Sequence, residues 1–170
     1  MQVLIVHESH FGNTRRVATA IARGLPAGVT AELVDIDDAP PLDDVDADLL
    51  VIGAPTHVFG LSRPDSRREA MEQAGLLDGP RRGVREWIAQ APPGLPPVAV
   101  YDTRTLESRL PGSAARAVAR RLRRAKVTVV STANFAVHGI EGPLAHGEES
   151  RAAAWGRGLL SELVEDAAPR

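Results

Sequence analysis

The residues of this chain best suited to chemistry are Ser9-His10-Phe11-Gly12-Asn13-Thr14, which follow directly on the apolar run Val3-Leu4-Ile5-Val6. The run reads as a buried strand, and Gly-Asn-Thr turns the chain into a helix starting near Thr14. A strand, a tight loop carrying hydroxyls and an amide, then a helix N-terminus make a site for a phosphate. The free N–H groups of the first helical turn point at one spot, and the helix dipole favours negative charge there. Gly12 can take positive φ and lets the backbone close around an anion. A second reading of the same residues is a plain Gly-Asn turn, with Thr14 helping to cap the helix. The segment has neither the Gly-Lys-Ser/Thr of a Walker loop nor the Gly-x-Gly-x-x-Gly of a dinucleotide-binding turn.

Two more loops carry chemistry. Gly53-Ala54-Pro55-Thr56-His57-Val58-Phe59-Gly60 has a glycine at each end for close backbone approach, and Pro55 stiffens its course. A planar ring could lie against His57 or Phe59; alternatively Phe59 plugs the end of the sheet. From Tyr101 to Ser113, Asp102 and Thr103 can hydrogen-bond the edge of a ring, or the segment is an ordinary loop capped by Ser113. Arg63, Arg104 and Arg109, against Asp102 and Glu107, make the rim of such a site less acidic; alternatively they pair locally with Glu107, Asp65 and Asp102 and leave little net field. No catalytic residue is assigned, because no nucleophile or acid–base pair stands out. No metal site is expected either. The histidines lack metal-ligand spacing, and His7 and His10 lie across a strand end where side chains do not converge. The aspartates from Asp35 to Asp48 read as a solvated connection broken by Pro40-Pro41.

These loops need elements to position them. Apolar runs at Val3–Val6, Val29–Ile36, Asp48–Gly53, Pro97–Tyr101 and Val127–Ser131 alternate with helical patterns. The helices run over about Thr14–Leu25, Asp65–Gly75 continued by Val84–Gln90, Ser113–Ala125 and Glu148–Glu165. Near-continuous aliphatic strands separated by helices imply a parallel sheet covered on both sides. The expected fold is therefore α/β: a doubly wound three-layer sandwich whose five-stranded parallel sheet has the order 2-1-3-4-5. In that order the carboxyl ends of strands 1, 3 and 4, with their three loops, share one edge.

The 170 residues fit one domain over 1–170, and 44% hydrophobic residues suffice for a core. A net charge of −2 argues against a nucleic-acid partner, and the arginines at 116, 120, 121, 123 and 124 read as a solvated helix face without interleaved aromatics. The absence of cysteine excludes disulfides, iron–sulfur ligation and thiol chemistry. Met1-Gln2 leads into a strand with no basic leader, and no run approaches membrane-spanning length, so a cytoplasmic protein is expected.

The first loop resembles the phosphate loop of the flavodoxin-like family, Ser/Thr-x-Thr-Gly-x-Thr. Ser9, Gly12, Asn13 and Thr14 match, and Phe11 stands where a Thr is usual. Gly53-Ala54-Pro55-Thr56 resembles the Gly-x-Pro-Thr that precedes the flavin-contacting residues of the family. His57 and Phe59 occupy positions where electron-carrying flavodoxins usually place Trp or Tyr. Ala154-Trp155-Gly156 matches the Trp-Gly often found on their last helix, and Asn134 to Gly139 is similar to the segment that leads there. The resemblance implies an FMN-binding electron-transfer protein. Ser9, Thr14 and the amides of His10, Phe11, Gly12, Asn13 and Thr14 would hold the 5′-phosphate. Pro55, Thr56, His57, Val58, Phe59 and Gly60 would flank one side of the ring, and Asp102, Thr103 and Arg104 the other. It implies a redox protein or a small electron acceptor as partner, and a monomer or weak dimer. An FMN-dependent NAD(P)H:quinone reductase of the same superfamily and a domain of this fold without flavin are the alternatives. A receiver-type switch is disfavoured, because only Glu8 stands at the end of the first strand.

Overall fold

The computed structural model describes residues 1–57, 60–73, 75, 81–106 and 112–166. Five strands, β1 (Gln2–His7), β2 (Thr30–Asp35), β3 (Leu49–Pro55), β4 (Val98–Thr105) and β5 (Val129–Val137), form one sheet in the order β2-β1-β3-β4-β5. Every pairing is parallel, as the alternation of apolar runs and helices implies. Between the strands lie α1 (Asn13–Gly24), α2 (Pro64–Gln73), α3 (Val84–Trp87) and α4 (Ala114–Arg124), and α5 (Glu148–Asp166) closes the chain.

The apolar runs serve two cores at once, because successive strand residues point to opposite faces. Val3, Ile5, Leu49, Val51, Ala99 and Tyr101 pack with α1 and α5 on one side. Leu4, Val6, Leu50, Ile52, Val98 and Val100 pack with α3 and α4 on the other. A central strand with both faces covered therefore shows no polar alternation. β2, an edge strand, is half exposed, with Leu33 37% accessible.

Strand ends differ from the sequence reading where polar residues continue a ladder. β4 runs on to Thr105, past the expected end at Tyr101, and β5 runs to Val137, past Ser131. Their pairing holds register from Ala99↔Ser131 through Thr105↔Val137. Asp102 and Thr103 are thus strand residues, fully or nearly buried; partners inside the protein meet the Thr103 hydroxyl and Asp102 Oδ2, while Asp102 Oδ1 has no hydrogen-bond partner. Asn134 to Val137, expected to lead to the last helix, belongs to β5. The helix expected to resume over Val84–Gln90 is the single turn α3. Helix α1 starts at Asn13 with Gly12 as its N-cap, so Thr14 caps nothing.

Trp155-Gly156 has a packing role. The Trp155 ring meets Tyr101 and Phe135 edge-on at 6.3 and 6.2 Å, and its indole N–H donates to Ser131 Oγ at 3.0 Å. One residue on, α5 lies so close to α1 that a Cβ at position 156 would sit 2.5 Å from the Ile21 carbonyl oxygen. Gly156→Ala is expected to push the two helices apart and to destabilise the protein by about 1–3 kcal/mol, the usual cost of overpacking. Urea unfolding of the two proteins measures this; equal midpoints would refute the close packing.

Candidate functional site

At the carboxyl edge of the sheet, the N-termini of α1, α3 and α4 face the loops, and each brings N–H groups that need an acceptor. Two of the three are closed by the protein's own carboxylates. At α4, Asp102 Oδ2 accepts from the Ala115 N–H at 3.0 Å, from Ser113 Oγ at 2.5 Å and from Thr56 Oγ1 at 3.0 Å. Thr56 Oγ1 in turn accepts from the Ala114 N–H at 3.0 Å, and Ser113 Oγ from the Arg116 N–H at 3.1 Å. At α3, Glu8 Oε2 accepts from the Val84 N–H at 2.8 Å.

The third, α1, stays open. Ser9 Oγ lies 3.3 Å from the Arg15 N–H, and the Arg16 N–H bonds the Gly12 carbonyl at 2.9 Å. The N–H groups of Phe11, Gly12, Asn13 and Thr14 meet no acceptor among the described residues. Gly12 holds φ at +82°, the left-handed conformation that presents successive amides on one side, and no atom lies within 4 Å of where its Cβ would be. Glycine is required there by the backbone angle and by nothing else.

This open end borders a cavity of about 630 Å³, a volume in the range of cofactor sites. His10, Phe11, Asn13 and Thr14 form its floor, Pro55, Thr56 and His57 one wall, and Thr103, Arg104 and Thr105 another. Each expected loop therefore contributes. Thr14 Oγ1 and Thr103 Oγ1 share a hydrogen bond at 2.9 Å across the floor, and the Tyr101 hydroxyl donates to the Thr14 carbonyl at 3.0 Å. The Asn13 side chain is committed elsewhere, donating to the Glu141 carbonyl at 2.7 Å.

Asp102 was expected at the ring edge and does not reach the cavity. It is fully buried, and its carboxylate is aimed at α4. Gly60 is buried and exchanges both backbone hydrogen bonds with His57, at 2.8 and 2.9 Å. Val58 and Phe59 lie outside the described residues, as do Glu107 and Arg109.

Helix α2 supplies a wall that loop motifs do not signal: Ser66, Glu69, Ala70 and Gln73 line the cavity, with Arg63 before them. Beneath lies a buried polar network. Glu8 Oε1 bonds His10 Nε2 at 3.1 Å and accepts a short bond from Ser62 Oγ. Arg67 Nη1 donates to Ser62 Oγ at 3.0 Å and pairs with Glu86 Oε2 at 3.0 Å. Burial alone would raise the Glu8 carboxyl pKa, but hydrogen bonds from His10, Ser62 and the Val84 N–H outweigh it and hold the group ionised below its usual range. His57 stands edge-on to His10 with ring centres 5.2 Å apart. Burial and the neighbouring His10 push its pKa down to about 4, so the imidazole is neutral at pH 7. His10 and His57 sit on different loops, so no spacing in the sequence announces their meeting.

A family model described as flavodoxin matches residues 5–85, the stretch from β1 through the Gly12 loop and the His57 loop to α3. The chain has a flavodoxin-like fold. Solved structures agree over its whole length. A flavodoxin from the domain Archaea superposes with a TM-score of 0.63 at 17% identity, covering 96% of this chain and 99% of that one. Oxidised flavodoxin 2 from Bacillus cereus gives 0.68 at 16% identity, covering 95% and 99%. Two-electron reduced Megasphaera elsdenii flavodoxin gives 0.57 at 22% identity, covering 91% and 97%. At such identities the likeness is one of fold. No curated protein sequence matches the chain.

The Asp102 cap makes a measurable claim. Asp102→Ala strands the Ala115 N–H and two hydroxyls, and is expected to cost roughly 1.5–3 kcal/mol of stability, as for a hydrogen-bonded buried charge. Chemical denaturation measures the loss, and a change below about 0.5 kcal/mol, the scale of neutral surface substitutions, would show that the carboxylate does not brace α4.

Proposed function

We propose that this flavodoxin-like protein binds FMN non-covalently in the cavity above β1, β3 and β4 and transfers electrons. The observation that carries the reading is the asymmetry among helix ends: α4 and α3 are closed by Asp102 and Glu8, while α1 opens its amides to the cavity. Unpaired amides at a helix N-terminus, with a positive-φ glycine before them, suit a phosphate. When bound, the flavin supplies the redox chemistry, and the protein supplies orientation and electrostatics.

The residues present fit such a group. The amides of Phe11 to Thr14 would take the phosphate, with Thr14 and Thr103 offering hydroxyls on the floor. Pro55, Thr56 and His57 would lie along one side of the ring and Thr103 and Arg104 along the other. A neutral His57 offers a flat apolar face. Asp102 and Thr56 act one step back, by locking the His57 loop to the start of α4. Gly60, whose backbone pairs with that of His57, steadies the same wall in this reading. A redox protein or a small acceptor would be the partner of a monomer or weak dimer in the cytoplasm. No described helix is long and apolar enough to cross a membrane.

Flavin identity is the direct test. FMN is expected on chromatography of cofactor released from purified protein, or on reconstitution; FAD, or no flavin after reconstitution, would overturn the proposal. Gly12→Ala forces an L-residue to φ +82°, at a strain of about 1–3 kcal/mol. FMN affinity is then expected to fall by about tenfold or more, while riboflavin, which has no phosphate, binds both proteins alike. Equal losses for the two ligands would place the phosphate elsewhere.

The rim gives a second test. Arg63 and Arg104 line the cavity, are exposed, and make no ion pair among the described residues. Their field favours the more negative, reduced flavin. Arg63→Ala with Arg104→Ala is expected to make the second-electron potential more negative in a reductive titration. An unchanged potential would remove these arginines from the tuning of the flavin.

A further inference from the structure

Glu8, His10 and His57 have a geometry that the flavin reading does not use. Each offers one ligand atom, and the three atoms lie within 4.8 Å of one another. Ligands about 2.1 Å from a tetrahedral ion stand about 3.4 Å apart. The Glu8 Oε1–His10 Nε2 pair is already at 3.1 Å. The His57 side chain makes no hydrogen bond among the described residues, only its edge contact with His10, so no hydrogen bond has to break for its ring to turn toward the pair.

Two further features belong to a built site. The His10 side chain is 1% exposed; its Nε2 faces Glu8 Oε1, and its other ring nitrogen, Nδ1, has no hydrogen-bond partner. A buried polar nitrogen without a partner is costly. Glu8 is held in place by the Ser62 hydroxyl and the Val84 N–H, as the outer partners of a metal ligand hold it. Arg67, the cation closest to this network, is taken up by Glu86 and Ser62 and leaves the carboxylate without a direct guanidinium partner.

We propose that Glu8, His10 and His57 form a binding site for a divalent transition ion of the zinc class, with one coordination position open to the cavity. Two imidazoles and one carboxylate select zinc and its neighbours over calcium or magnesium, which prefer all-oxygen shells. Three protein ligands leave a fourth position for water or for an oxygen of a molecule in the cavity, the arrangement of ions that act on a ligand rather than only brace a fold.

The probe is zinc alone, titrated by calorimetry into the full-length protein after dialysis against a chelator. The expected result is saturable binding of one ion per chain, with a thermal midpoint that rises as zinc is added. His57→Ala, on a loop side chain with no hydrogen bond to lose, is expected to lower the affinity by about 100-fold or more and to abolish the thermal shift. Glu8→Gln, which keeps the shape of the carboxylate, is expected to weaken binding likewise. His146→Ala, at an exposed histidine outside the cluster, is expected to bind as the parent does. Absence of saturable binding, or parental affinity in His57→Ala, would overturn the site. Because flavin takes no part in the measurement, a protein that binds zinc but takes up no flavin on reconstitution would refute the flavin reading alone, and one that holds flavin but binds no zinc would refute the metal site alone.

Discussion

Unpaired N–H groups at helix N-termini govern this structure. A parallel sheet delivers every following helix to the same edge with its N-terminus inward, so several sets of unpaired donors and several positive dipole ends gather there. Each set needs an acceptor. The protein meets most of that demand from within, and the manner in which it does so draws the site. Asp102 and Glu8 are carboxylates at buried positions on or beside strands, where an unpaired charge would be ruinous. They survive there because helix ends need them. The two requirements cancel at α4 and α3, and α1 opens on the cavity without a carboxylate of its own.

The same economy explains the length of the strands. β4 continues through Asp102 and Thr103, residues that end most strands, because each has a partner ahead of it: α4 for the carboxylate, the Thr14 hydroxyl for Thr103. The continuation carries Arg104 and Thr105 to the rim. It also fixes the His57 wall, since Thr56 bonds Asp102 through its hydroxyl and the Thr103 carbonyl through its N–H at 2.7 Å. One buried carboxylate thus sets the spacing between two walls of the cavity.

Much of this was legible in the residues. The order of the sheet follows from apolar runs alternating with helices, and the phosphate-type loop from Gly12 set between a strand and a helix. Trp155-Gly156 was legible only as a resemblance on the last helix, and the structure shows its packing role, α5 against α1. What stayed hidden was of one kind. Whether a polar residue faces a ligand or a buried partner depends on residues distant in sequence, and Asp102 read as a ligand contact because Thr56, Ser113 and Ala115 are not its neighbours along the chain. The α2 wall stayed hidden because helix residues facing a cavity look like any mixed helix face.

The meeting of His10 and His57 shows the same limit at its sharpest. Spacing rules for metal and proton sites work when ligands share one helix or one turn, where geometry is local. Here one histidine follows β1, the other follows β3, and the adjacency of those two strands brings the rings together. Because β1 lies between β2 and β3, residues just past the ends of β1 and β3 must face each other in any chain with this strand order. What this chain adds is the choice of side chains at that meeting point, with Glu8 buried beneath them and Ser62 and Val84 N–H holding it still. A fully buried carboxylate restrained by several donors has lost the freedom that a solvated one keeps. Its pairing with the His10 imidazole is therefore a property of the folded ground state rather than of a passing rotamer.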